Sequence, residues 1–204
     1  MNKRSSQWEL VSWELFYDMA RQLAFMIHND NYQPDIIIAI ARGGYTPARI
    51  LSDYLGVMDM TSFKVKHYQS THKEAVAVIQ HPLATDVSGQ KILLVDDVSD
   101  TGDTFEVAIN HINECTRPTE VRTAVLHHKT VSRYKPDYYI HEVKEWHWIT
   151  YPWAIMEDIT AFINRMQPAP TSVEQVAQKL SSEHNIEAPT KILSDAFELS
   201  GIKR

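Results

Sequence analysis

Cysteine occurs once in this chain, at Cys115, so no internal disulfide can form and a disulfide-stapled scaffold is excluded. No apolar run approaches the ~18 residues that a membrane-spanning helix needs. The basic start, Met1 to Gln7, is not followed by the apolar segment of a secretory signal. These absences give the expectation of a cytoplasmic protein. Positive charge is also in deficit: 20 Lys and Arg stand against 26 Asp and Glu, a formal net charge of -6. That balance counts against a general surface for nucleic acid or anionic membrane, while leaving room for a locally positive pocket. The 10 histidines show no metal-ligand spacing, and no His-Glu-x-x-His run occurs. Glycine is scarce, with 6 in the chain. Three of them, Gly43, Gly44 and Gly102, directly follow strand-like apolar runs, where backbone must come close to something.

What is present alternates between strand and helix patterns. Ser12 reads as the N-cap of a helix from Trp13 to about Asn29, with Leu15, Phe16, Met19, Leu23 and Ile27 at helical spacing. Residues Asp35 to Ala41 read as a buried strand, continuously apolar as a parallel strand covered on both faces would be. Arg42-Gly43-Gly44 then leads into a helix from about Thr46 or Pro47 to Leu55, stopped at Gly56. Two short alternating runs, Phe63 to His67 and Ala75 to Ile79, flank a polar stretch, Tyr68 to Glu74, that reads as an exposed loop. Further strands are expected at Ile92–Val95, Val121–Leu126 and Tyr138–Val143, with a helix beginning near Thr104 and broken by Pro118. This order predicts an α/β fold with a mainly parallel sheet flanked by helices. Around Pro168-Ala169-Pro170 the composition turns linker-like, and two short amphipathic helices split near Pro189 follow. The division expected is therefore 1–167 for the main domain and 168–204 for a helical extension.

The chemistry concentrates in Ile92-Leu93-Leu94-Val95-Asp96-Asp97-Val98-Ser99-Asp100-Thr101-Gly102-Asp103-Thr104. A buried strand runs into two adjacent carboxylates, a short hydroxyl-rich loop with one glycine, and a helix start. Loops at the carboxyl ends of strands are where ligands of open α/β sheets bind. A helix start supplies free N–H groups and the positive dipole end, which favour phosphate. The Gly-x-x-x-x-Gly-Lys-Ser/Thr pattern of a nucleotide P-loop is missing. The paired carboxylates repel phosphate, and suit either the hydroxyls of a sugar diol or a divalent cation. Phosphate, diol and metal together describe a phosphorylated ribose.

This ordered string closely resembles the binding motif for 5-phosphoribosyl 1-pyrophosphate (PRPP) of the type I phosphoribosyltransferases. The resemblance covers about Ser12 to Arg165, and its fold carries a small hood. It implies that Asp96 and Asp97 hold the ribose hydroxyls, Asp97 also contacting Mg2+, while Asp100, Thr101, Gly102, Asp103 and Thr104 wrap the 5-phosphate. Relatives often have a small or basic residue at the position of Asp103, so only its backbone is expected to touch phosphate. Asp100 is the expected general base. Arg42, Gly43 and Gly44 resemble the family's pyrophosphate loop, where a cis Ala41–Arg42 peptide is expected. An arginine fork and side-chain-free backbone suit the charge that develops on the leaving group. Tyr68 matches the tip of the family's flexible flap, near which Lys66 or Lys73 would add positive charge.

Within the family, Lys129 at the end of a strand resembles the lysine of 6-oxopurine enzymes. A donor there favours hypoxanthine, guanine or xanthine over adenine. Trp146 to Trp153 resembles the hood of the xanthine-guanine branch, with Trp148 stacking on the base and Ile149 offering main-chain groups. Thr150 and Ala154 replace acids of the bacterial enzymes, which leaves the choice among oxopurines open; Glu157 and Asp158 stand close behind, either as candidates for a second metal or as the start or cap of a helix. The expected partners are PRPP and a purine base, with no nucleic acid or membrane, in a homodimer or higher homo-oligomer. The alternatives are a phosphoribosyltransferase for adenine, orotate or uracil, or a PRPP-sensing regulator without catalysis.

Overall fold

The computed structural model describes residues 8–70 and 73–201, with side chains outside 68–75. Its elements run β1 (Trp8–Leu10), α1 (Trp13–Asn29), β2 (Ile36–Ala41), α2 (Tyr45–Leu55), β3 (Met60–Ser70), β4 (Lys73–His81), β5 (Lys91–Val95), β6 (Val98–Ser99), α3 (Asp103–Cys115), β7 (Glu120–Lys129), β8 (Tyr138–Val143), β9 (Trp148–Thr150), α4 (Ile155–Arg165), α5 (Val173–His184) and α6 (Thr190–Leu199). The described residues form two compact units, one within 17–146 and one within 1–16 and 147–204.

The larger unit is a sheet in the order β4-β3-β2-β5-β7, with β6 and β8 both paired to β7. All its pairings are parallel except the β3–β4 hairpin. The apolar runs explain the centre: all six residues of β2 and the last four of β5 are buried. Alternate residues Ile36, Ile38, Ile40, Ile92 and Leu94 join Phe105, Ala108 and Ile112 of α3 in one core. On α1, the Ser12 hydroxyl accepts the Leu15 amide at 3.1 Å, as an N-cap should. Gly56 closes α2 at a φ of 68°.

Within this unit two expectations change. The polar stretch Tyr68 to Glu74 is not one long loop: β3 and β4 pair antiparallel as far as Ser70 and Lys73. Strand β7 also continues beyond Leu126, because β6 and β8 pair with His127 and His128 from its two edges and bury them.

The smaller unit pairs β1 with β9 in parallel. Its core joins Ile159 and Ile163 of α4 to Val176 and Leu180 of α5 and Leu193 and Ala196 of α6. The residues beyond 167 therefore share a core with the hood segment and do not stand apart as 168–204. The linker-like prolines mark a turn within that unit, with a cis Gln167–Pro168 bond.

Candidate active site

The parallel sheet sets the carboxyl ends of β2 and β5 side by side, with Ala39 opposite Val95. The loops that leave these ends are pressed together. A Cβ on Gly44 would lie 2.2 Å from the Val95 carbonyl oxygen, and one on Gly43 would lie 2.5 Å from a carboxylate oxygen of Asp97. No side chain fits at Gly44, and one fits at Gly43 only if the Asp97 carboxylate swings away, so backbone amides of Arg42-Gly43-Gly44 stand directly beside the acidic pair. The Ala41–Arg42 peptide is cis, the conformation that the resemblance predicts. Arg42 itself is exposed at this corner.

The two acids have different surroundings. Asp96 is buried and accepts hydrogen bonds from the backbone N–H groups of Asp97, at 2.9 Å, and Gly44. Burial and the neighbouring Asp97 charge push its carboxyl well above the usual carboxylate range, against those two hydrogen bonds. Asp97 is partly exposed beside Gly43, which makes it the accessible member of the pair.

Next in the loop, Gly102 sits at a φ of 95°, and a Cβ there would meet the Tyr134 backbone nitrogen at 2.5 Å. The segment after β7 buttresses this turn: Arg133 donates its N–H to the Thr101 carbonyl at 2.9 Å, and the Ser99 hydroxyl donates to the Tyr134 carbonyl at 3.1 Å. Gly102 caps α3 without a side-chain hydrogen bond of its own, and the first amide of the helix, Asp103 N–H, reaches only the Thr101 hydroxyl, at 3.5 Å. The Asp103 carboxylate turns back to accept from the Thr101 hydroxyl at 3.0 Å. Thr104 pairs with His67 Nε2 at 3.0 Å, a residue of β3 that local sequence gave no reason to select.

At the far end of β7, Lys129 is 2% exposed. Its Nζ lies 3.2 Å from Asp100 Oδ2 and 4.5 Å from the centre of the Trp146 ring. The Trp146 Nε1–H donates to Asp100 Oδ1 at 2.9 Å. The structure thus joins two residues selected from sequence, Asp100 and Lys129, and adds a third. Trp146 belongs to the aromatic run already singled out, but nothing in the run distinguishes it from its neighbours.

Trp148 and Ile149 lie in the smaller unit, on β9. Trp148 is half exposed and donates its Nε1–H to Asp158 Oδ2 at 3.0 Å; Thr150 also donates its hydroxyl to Asp158 Oδ2. Asp158, in the first turn of α4, thus ties that helix to both ends of β9. Burial raises the Asp158 carboxyl above its usual range, opposed by the two donors. The Tyr68 side chain, and that of Lys73, lie outside the described residues. No helix among the described residues is long and apolar enough to cross a membrane.

A glycine-lined loop beside an acidic pair, with a hydroxyl-rich helix start next to it, defines an α/β enzyme that handles a phosphorylated sugar. Comparison with known proteins carries this to a family. The chain matches the phosphoribosyl transferase domain over residues 6–157 and belongs to that family, with the mainly parallel sheet of its type I fold. It is 32% identical over 149 residues to a xanthine-guanine phosphoribosyltransferase of Cereibacter sphaeroides, covering 70% of this chain and 84% of that one. Among solved structures, a purine phosphoribosyltransferase from Pyrococcus horikoshii is 34% identical, with a TM-score of 0.64 over 72% of this chain and 93% of that one. A Neisseria gonorrhoeae protein with bound ppGpp is 26% identical, with a TM-score of 0.64 over 72% and 89%.

Proposed function

We propose that this phosphoribosyltransferase moves the phosphoribosyl group of PRPP onto a 6-oxopurine, giving a nucleoside 5'-monophosphate and pyrophosphate. The observation that carries the choice of base is the buried Lys129 ammonium 3.2 Å from the Asp100 carboxylate. An oxopurine offers an acceptor, O6, next to an imidazole N–H, which matches a donor next to an acceptor. Adenine would set its amino donor against the lysine. The names of the xanthine-guanine and purine relatives support this reading, as does the guanine nucleotide bound to the Neisseria protein.

In this reading the helix start at Thr101 to Thr104 binds the 5-phosphate through backbone amides. Asp97, with Asp96 behind it, accepts from the ribose hydroxyls. Arg42 and the amides of Gly43 and Gly44 stabilise negative charge as the C1–O bond to pyrophosphate breaks. The purine nitrogen takes over C1, and its imidazole proton passes to Asp100. Trp148 and Ile149 are retained as base contacts on the strength of the family resemblance, and Tyr68 likewise as a flap residue.

Among the described residues no three His, Cys, Asp or Glu gather into a metal cluster. The acidic pair, with Asp97 partly exposed beside Gly43, suits magnesium, which commonly binds through one or two carboxylates together with substrate phosphates. Asp97 would hold it, and the ion would neutralise pyrophosphate charge.

The test is pyrophosphate release from PRPP and magnesium with a panel of guanine, xanthine, hypoxanthine, adenine, orotate and uracil. Turnover confined to the first three is expected. Turnover with adenine, orotate or uracil alone would replace the base assignment, and none with any base would remove the transfer reaction.

A further inference from the structure

We propose that Trp146 is a positioning residue that presets the Asp100–Lys129 pair and thereby sets the preference for 6-oxo over 6-amino purines. This inference rests on the transfer reading above and deepens it. Trp146 lies between β8 and β9, and its indole reaches both partners at once. The Nε1–H takes one Asp100 oxygen at 2.9 Å, Lys129 takes the other at 3.2 Å, and the ring face lies 4.5 Å from the Lys129 Nζ. Each carboxylate oxygen therefore has its own donor, and the ammonium has an anion on one side and a π face on another.

The residues differ sharply in exposure: Lys129 is 2% exposed and Trp146 is 52% exposed. A buried ammonium needs compensation from every direction that water no longer serves. An indole half in solvent that spends its N–H on a carboxylate contributes orientation more than core packing. Recognition of O6 beside an imidazole N–H requires donor and acceptor to stay adjacent before the base arrives. If Asp100 were to swing toward solvent, the proton acceptor would be lost. A displaced Lys129 would take the donor with it, and with that the discrimination against a 6-amino group. Both side chains are long enough to move, and Trp146 touches each.

Trp146→Phe keeps the ring face and removes the N–H; Trp146→Leu removes both. Each is assayed with PRPP against guanine, hypoxanthine and adenine. For Trp146→Phe, kcat with oxopurines is expected to fall about tenfold, with the KM values for base and PRPP within about twofold, as loss of one charge-assisted hydrogen bond predicts. For Trp146→Leu the same fall in kcat is joined by a rise of about tenfold in oxopurine KM and a narrowed oxopurine-to-adenine ratio. Wild-type kcat, base KM and base ratio in both variants would overturn the proposal, provided the parent enzyme turns over. A general loss that raises the PRPP KM and lowers the melting temperature in parallel would also overturn it, as a structural role. No pyrophosphate release by the parent with any base is a separate result, which removes the transfer reading and this inference with it. Should either variant fail to fold, the Trp146 indole N–H resonance of the unaltered protein decides: displacement on adding GMP is expected, and a stationary resonance overturns the proposal.

Discussion

Asp96 and Asp97 are adjacent in sequence and unlike in chemistry, because a strand end turns one inward and leaves the next at a corner. Since burial raises the folded-state pKa of Asp96 above its unfolded value, the folded protein holds a proton there that the unfolded chain has released. The stability contributed by Asp96 is therefore complete below the ordinary carboxylate range. It falls as pH rises from that range up to the raised folded value. Urea unfolding across pH should show this fall in the parent and a shallower one in Asp96→Asn, whose amide oxygen still accepts the backbone N–H bonds; equal slopes would refute it. The neighbouring glycines make a second contrast. Gly44→Ala drives a methyl into backbone at Val95 and Ile40, which cannot fold aside, so a loss of about 1–3 kcal/mol in stability is expected. Gly43→Ala meets only the Asp97 carboxylate, which can rotate away. Its effect should be a higher PRPP KM with little change in melting temperature. Asp100→Asn should slow turnover by about 10²–10⁴-fold, with PRPP affinity largely kept, as measured by calorimetry.

Between β9 and α4, one carboxylate does the work of a brace. Asp158 accepts from the Trp148 indole and from the Thr150 hydroxyl, and Thr150 is fully buried. Asp158→Ala leaves that buried hydroxyl without its acceptor, which costs about 1–3 kcal/mol, and frees the Trp148 ring. A raised base KM with an unchanged PRPP KM is the expected kinetic result; an equal change in both would argue against a role for Trp148 in base contact. None of this bracing was legible in the sequence, where Asp158 was one of two acids near a helix start. The contrast with α1 is instructive. There the cap and the apolar period lie within one short window, and the helix runs from Trp13 to Asn29 as read. The strands β2 and β5 were equally legible because burial on both faces writes a continuous apolar run. By comparison, β1 is three residues long, and its Trp8 indole donates to a Thr150 hydroxyl 142 residues away. No local pattern carries such a pairing. Likewise Trp146, His67 and Tyr134 reach the site through contacts that exist only once the sheet has formed.

At the scale of the whole molecule, the two units divide the chain unevenly and against its order. The unit of residues 17–146 holds the sheet with Asp96, Asp97, Asp100 and Lys129, while Trp148 and Ile149 belong to the unit built on α4, α5 and α6. The family match stops at residue 157, yet α4 cannot bury Ile159 and Ile163 without α5 and α6. The last two helices thus supply the hydrophobic support of the segment that carries Trp148. Leu180 is the test position, fully buried on α5 within this core. Leu180→Ala removes three carbons with no neighbour free to fill the space, and should destabilise its unit by about 2–5 kcal/mol. Hydrogen exchange should then accelerate in α4, α5 and α6 while amides of β2, β5 and β7 keep their protection, since stability is local to a cooperative unit. PRPP affinity should hold, because its proposed contacts are all in the larger unit, and base affinity should weaken with the loosening of β9 and α4. A uniform loss of protection across both units would mean that they unfold as one, and that the terminal helices stabilise the sheet as much as the hood.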